Sequence, residues 1–268
     1  MQVARPLCTL ACLLASIAVA PLAVADDADD IKDVVFDCTR AGIERGDLAT
    51  FMKMWADDAK VVEGREEKPG KRDHTITRKQ LEATCRLMFS FPVPDGGYKV
   101  TFESPRVEVK GDKAELRVMT TAQWDEDGEM DRQSEIYLLR RTADGWRVYE
   151  NRYWMVEARQ GDKTIDYDVK GWKLLDEIVA AAEKEDDLVK LVEALDDARR
   201  LTEAHNVAKK LTARDGATAE DWSRRGLQAL SAGDADDATK AFKEALKLDP
   251  DADVPPIIRG AKKTPAME

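Results

Sequence analysis

The sequence predicts an α+β fold in which a bent antiparallel sheet wraps around helices, followed by an all-α region of helical hairpins. Three observations predict it. Helical apolar spacing with start and stop signals opens the chain after residue 30. Four long segments of alternating character follow, separated by turn signals. From Trp172 to about Leu248 the pattern returns to helical and stays so.

The elements can be taken in order. Asp30 to Arg45 carries apolar residues at helical spacing and stops at Gly46. Asp47 is placed to cap a second helix, Leu48 to Trp55. Ala59 to Glu63 reads as a strand, and Gly64 to Asp73 as a charged, mobile loop. Thr77-Arg78-Lys79-Gln80 has the form of a capping box and opens a helix through Met88. Four β segments follow near Tyr98–Val109, Lys113–Trp124, Met130–Arg141 and Trp146–Ala158. Turns are expected at Gly111-Asp112, Asp127-Gly128 and Asp144-Gly145. In the first segment the apolar phase is even at Val100 and Phe102 but odd at Val107 and Val109. That flip predicts a bulge or bend at Ser104-Pro105. Residues 159–170 read as a polar linker, 171–252 as the helical region, and 253–268, with Pro255-Pro256, as an irregular tail.

Residues 1–25 read as a cleavable signal peptide. Arg5 gives the positive start, Leu7 to Ala25 is uncharged, and Ala23-Val24-Ala25 supplies small residues before a cut ahead of Asp26. Pro21 and this cleavage site argue against a retained membrane anchor. Cys12 sits in a poor lipobox context, because Leu10 is one place too late. The expected location is therefore periplasmic or secreted, in a bacterium, with no membrane span after cleavage.

Composition narrows the partners. Asp and Glu outnumber Lys and Arg by 53 to 42. An acidic chain without a basic cluster is not built for nucleic acid or anionic membranes. No cofactor is expected. Neither metal-ligand spacing nor a Gly-rich phosphate loop is present, and no nucleophilic Ser-His-Asp signature appears. After cleavage Cys38 and Cys85 remain, each on a predicted helix. In an oxidising compartment a disulfide between them and a pair of buried free thiols are both open.

The order of helix, helix, strand, capped helix and four-strand meander over residues 30–158 resembles the nuclear-transport-factor-2-like fold. Its local marks are Gly46-Asp47-Leu48, Trp55-Ala56-Asp57-Asp58-Ala59, Gly111-Asp112-Lys113-Ala114 and Asp144-Gly145-Trp146-Arg147-Val148. The resemblance implies a cone-shaped sheet around helices, a pocket at its open end, and frequent homodimerisation through the sheet. That group includes ketosteroid isomerase, scytalone dehydratase and polyketide cyclases. The isomerase's general base follows the acidic Ala-Asp-Asp-Ala run by four residues, a spacing that lands on Glu63 here. Its oxyanion Tyr falls on Thr39, which departs from the pattern. The dehydratase uses His with carboxylate and Tyr, whereas this chain offers only His74, beside the charged loop, and His205. A solvated strand-end carboxylate is the plainer alternative for Glu63.

In the last β segment Arg147, Tyr149, Asn151, Tyr153 and Met155 share one face. Aromatic groups with polar tips suit a pocket wall. This makes Tyr149, Asn151 and Tyr153, with Trp124 from the second segment, the pocket candidates, with ordinary core or dimer packing as the alternative. Residues 219–252 resemble a tetratricopeptide repeat, with marks at Trp222, Gly226, Ala238, Phe242, Ala245 and Pro250. Arg225 and Ala229 depart from it, and a degenerate copy spans Leu188 to Leu211. Such repeats usually bind peptides or proteins, and a short array is equally suited to packing.

Three functions follow: an exported non-catalytic protein that binds a small apolar ligand or a protein partner, an isomerase-, dehydratase- or cyclase-type enzyme using Glu63, and a purely structural envelope component.

Overall fold

The computed structural model describes residues 20–91, 97–123, 130–161 and 163–260. Within them α1 (Ala20–Arg45) and α2 (Leu48–Lys53) precede β1 (Trp55–Gly64), β2 (His74–Thr77) and α3 (Arg78–Met88). The meander follows as β3 (Lys99–Lys110), β4 (Lys113–Gln123), β5 (Met130–Thr142) and β6 (Gly145–Gln160). Then come β7 (Lys163–Asp166), α4 (Val169–Ala182), α5 (Leu188–Asp197), α6 (Leu201–Thr212), α7 (Ala219–Ser231) and α8 (Ala235–Leu248). No described helix is long and apolar enough to cross a membrane. Most of the expected signal segment lies outside the described residues.

The strands form one sheet in the order β2-β1-β6-β5-β4-β3. All neighbours are antiparallel except β1 and β6. The expected bend in β3 is present. Its register on β4 shifts between Glu103 and Arg106, with Ser104 at φ 52°. The concave side holds a core of Ile31, Val35, Trp55, Leu116, Leu139 and Val148, packed against α1, α2 and α3. The capping box at Thr77 and Gln80 is formed, and the Asp47 side chain accepts from the Thr50 amide.

Several expectations are corrected. Trp55 starts β1 instead of ending α2. Helix α2 has already stopped at Lys53, and the Val148 amide donates to the Met54 carbonyl at 2.7 Å. The loop after Gly64 is pinned, not loose. Buried Arg152 pairs with Asp73 at 2.7 Å and donates to the Glu66 and Lys68 carbonyls at 3.0 and 2.8 Å. The stretch 159–170 is no plain linker. β5 occupies one edge of β6 along its length, so β7 takes the other edge where β1 ends, pairing Glu157 with Asp166 and Gln160 with Lys163. Cys38 and Cys85 are free thiols, half-buried and buried among core residues.

The helical region is seated on the cone. Trp172, Val179, Leu195 and Ala208 form one core with Met155 and Ala158 of β6. Phe242, Ala238 and Ala245 form another with Leu87 of α3. Asp176 of α4 receives two hydrogen bonds from Arg65 at 2.9 Å, and Arg65 also lies over the Trp172 ring. In the last hairpin Gly226 is required by close approach, since a Cβ there would meet Phe242 at 2.5 Å. Trp222 is partly buried beside this core, and Pro250 follows α8 exposed. The tail is irregular, but its start is packed: Val254 and Pro255 are buried. Residues 261–268 lie outside the described residues.

Candidate functional site

Adjacent strands place the site. In register, Glu63 of β1 lies beside Tyr153 of β6, which lies beside Glu135 of β5. One step away Val61, Asn151 and Tyr137 form a parallel row. Cross-strand neighbours share a face, so both rows point into the cone. The result is a cavity of about 720 Å³. Its walls are largely apolar and aromatic, including Phe51, Trp55, Leu81 and Phe89, and the sheet contributes polar side chains from Glu63, Thr120, Gln133, Glu135 and Asn151. Leu227 and Leu230 of α7 and Asp253 of the tail complete the lining. Met88 and Leu227 are exposed at the rim.

Glu63 is only 5% exposed, so the solvated strand-end alternative does not hold. The Tyr153 hydroxyl donates to its Oε2 at 2.6 Å, and Arg199 Nε donates to its Oε1 at 2.6 Å. Arg199 comes from the turn between α5 and α6, outside the cone domain, and sits at φ 52° in the left-handed region. Burial, helped by the Glu63 carboxylate, pushes the Tyr153 phenol far above its usual range, so it stays a donor. Glu63 holds the Arg199 guanidinium charged despite burial.

Glu135 is 4% exposed. Gln133 Nε2 donates to its Oε1 and Asn151 Nδ2 to its Oε2, both at 3.1 Å. Burial, followed by the charge of Glu135, pushes the Tyr137 phenol far above its usual range. Thr120 of β4 lines the cavity with a buried hydroxyl that has no partner among the described residues.

Of the residues expected from sequence, Glu63, Asn151 and Tyr153 meet in this cavity. Tyr149 does not line it. The register of β6 on β5 slips between Leu138 and Leu139, which places Tyr149 at a bulge. The inward phase is therefore even at Trp146 and Val148 and odd at Asn151 and Tyr153, and Tyr149 packs against the core below Arg140. Trp124 lies outside the described residues. His74 is on β2, half-buried, and reaches Thr202 of α6 at 3.3 Å. Burial lowers its pKa below the usual imidazole range. Glu135 was missed, although its alternation with Gln133, Tyr137 and Leu139 put it on the inward face. Nothing local marks Arg199.

A second cluster joins the helices. His205, Asp234 and Asp237 bring potential ligand atoms within 4.8 Å of one another. Asp237 is already held by His205 at 2.8 Å and by Arg225 at 2.6 and 3.0 Å. The cluster ties α6, α7 and α8 together. Burial works against ionising Asp237, but Arg225 and His205 outweigh it and hold its pKa at about 2.

No protein-family model matches the chain, and no curated protein matches it in sequence. Solved structures do show similarity to about half of it. An NTF2-like protein from Pseudomonas putida KT2440 is 13% identical, covering 53% of this chain and 95% of its own, with a TM-score of 0.42. An NTF2-like protein with a cystatin-like fold from Novosphingobium aromaticivorans is 19% identical, covering 51% and 86%, with a TM-score of 0.39. A protein from Streptomyces avermitilis, provisionally named a dehydratase of the NTF2-like family, is 17% identical, covering 50% and 98%, with a TM-score of 0.40. At these identities and scores the similarities carry no argument about chemistry.

Proposed function

We propose that this protein binds a small, mostly apolar molecule in the cone cavity, with the helical region forming part of its mouth. The observation that carries the reading is the cavity itself: apolar walls of ligand size with a few polar side chains set on the sheet. Binding is favoured over catalysis because each Glu63 oxygen already has a short bond, one to Tyr153 and one to Arg199. A carboxylate so engaged is better placed to fix the site than to take a proton from a substrate. Export to the periplasm, and a peptide-binding role for the tetratricopeptide-like hairpin of α7 and α8, belong to the same proposal.

Native mass spectrometry of the protein purified gently from its own host is the test. An added mass of a few hundred daltons, lost on activation, is expected. A bare chain, or one carrying only another protein, would move the function to the helical region.

One observation favours an isomerase- or dehydratase-type enzyme instead. Tyr153 stands between two buried carboxylates, Glu63 and Glu135, an arrangement in which a proton has several acceptors. Once a turnover is found, an unchanged rate in Glu63→Gln removes that residue from the mechanism.

A further inference from the structure

The cavity is unevenly charged. Among its described lining residues Arg199 is the one cation, against the carboxylates of Glu63, Glu135 and Asp253. Arg199 is committed to Glu63 at 2.6 Å. Glu135 has no ion-pair partner among the described residues. Its donors are the neutral side chains of Gln133 and Asn151. A carboxylate has about four acceptor positions, so these two donors leave some unfilled. Taking a carboxylate out of water without a counter-charge is costly, and the cost falls when a cation arrives.

A second observation points to the same spot. Thr120 is 2% exposed and lines the cavity, and its buried hydroxyl has no partner among the described residues. On β4 and β5, Thr120 pairs with Gln133 and Val118 with Glu135. Thr120 and Glu135 are thus diagonal neighbours on one face, about 7–8 Å apart. A group that donates to a carboxylate and also to a hydroxyl oxygen has the hydrogen-bonding pattern of an ammonium. Aromatic walls suit the body of such a ligand, since ring faces attract cations as well as apolar surface.

We propose that the cavity's ligand carries an ammonium nitrogen on an apolar, ring-containing body, and that this nitrogen seats on Glu135 with Thr120 as its second contact. The inference rests on the cavity-binding reading and adds the ligand's class to it. Net charge in the site then falls toward zero only when the ligand is present, which gives selectivity against neutral and anionic molecules of the same shape.

The test uses three probes sharing one body: naphthylethylamine, naphthylethanol and naphthylacetate. Their binding to the mature protein is measured by calorimetry at neutral pH. The amine is expected to bind at least about tenfold tighter than the alcohol, with the acetate weakest. Glu135→Gln, which keeps the shape and the Asn151 contact, is expected to erase the preference for the amine while leaving the alcohol within about threefold. Should that variant fail to fold, the wild-type ranking decides alone, and Thr120→Val gives a second reading with a smaller loss for the amine. Equal binding of amine and alcohol, or a preference that survives Glu135→Gln, overturns the ammonium assignment and leaves the cavity reading standing. Binding of none of the three overturns both.

Discussion

Arg199 reaches from the helical region to Glu63 in the cavity, and removing it has a calculable cost. Glu63 is 5% exposed and the Arg199 side chain about 25% exposed, so the pair is shielded from solvent. Breaking a buried pair from one side costs about 3–5 kcal/mol, and partial exposure places this one near the lower end, about 3 kcal/mol. Arg199→Ala should therefore lower the thermal midpoint by roughly 6–12 °C if the chain unfolds as one unit. The backbone adds a second signature. At φ 52° Arg199 occupies a conformation that glycine adopts freely, so Arg199→Gly should be more stable than Arg199→Ala by about 1 kcal/mol. That reverses the usual order of the two residues. Circular dichroism melting and urea titration of wild type, Arg199→Ala, Glu63→Gln and the double variant give the coupling directly, expected at about 2 kcal/mol. A coupling below about 0.5 kcal/mol would refute the view that this pair seats the helices on the cone. Alanine outperforming glycine would refute the strain argument.

Two further outcomes follow from the titrating groups. Asp237 has its folded pKa depressed from 3.8 to about 2. Its stabilisation is complete above the unfolded value and is lost as pH falls from about 4 through 2, an effect of about 2 kcal/mol. Urea midpoints should drop across that window, and Asp237→Asn should flatten the drop while lowering stability at neutral pH. Burial pushes the Cys85 thiol up to about 12 and raises Cys38 as well. Without reductant, the protein lacking residues 1–25 should resist alkylation when folded and take two labels in denaturant, read by intact mass. No label in denaturant would show a disulfide instead.

Half of the site is legible in the sequence. Glu63 was reachable through the resemblance to ketosteroid isomerase, and Tyr153 through the strand period of two, which acts locally. Tyr149 was misplaced because the bulge in β6 exists only against its partner β5, and no residue in β6 announces it. Glu135 carried a signal in its alternation, but a carboxylate in an inward position conflicts with the rule that charges face water, and only its donors resolve the conflict.

By itself the sequence determined what neighbouring residues decide: the capped helices, the meander with its turns at Gly111-Asp112 and Asp144-Gly145 (Asp127-Gly128 lies outside the described residues), the bend at Ser104-Pro105 and the helical periodicity after Trp172. Those features depend on backbone conformation and apolar period, which a few residues specify. The tertiary structure decided the rest. It placed β7 on the free edge of β6, tied α4 to the loop after β1 through Asp176 and Arg65, and brought Arg199 to Glu63 across 136 positions of chain. Such contacts are set by which surfaces remain unburied once the elements have formed, and no local run of residues encodes that.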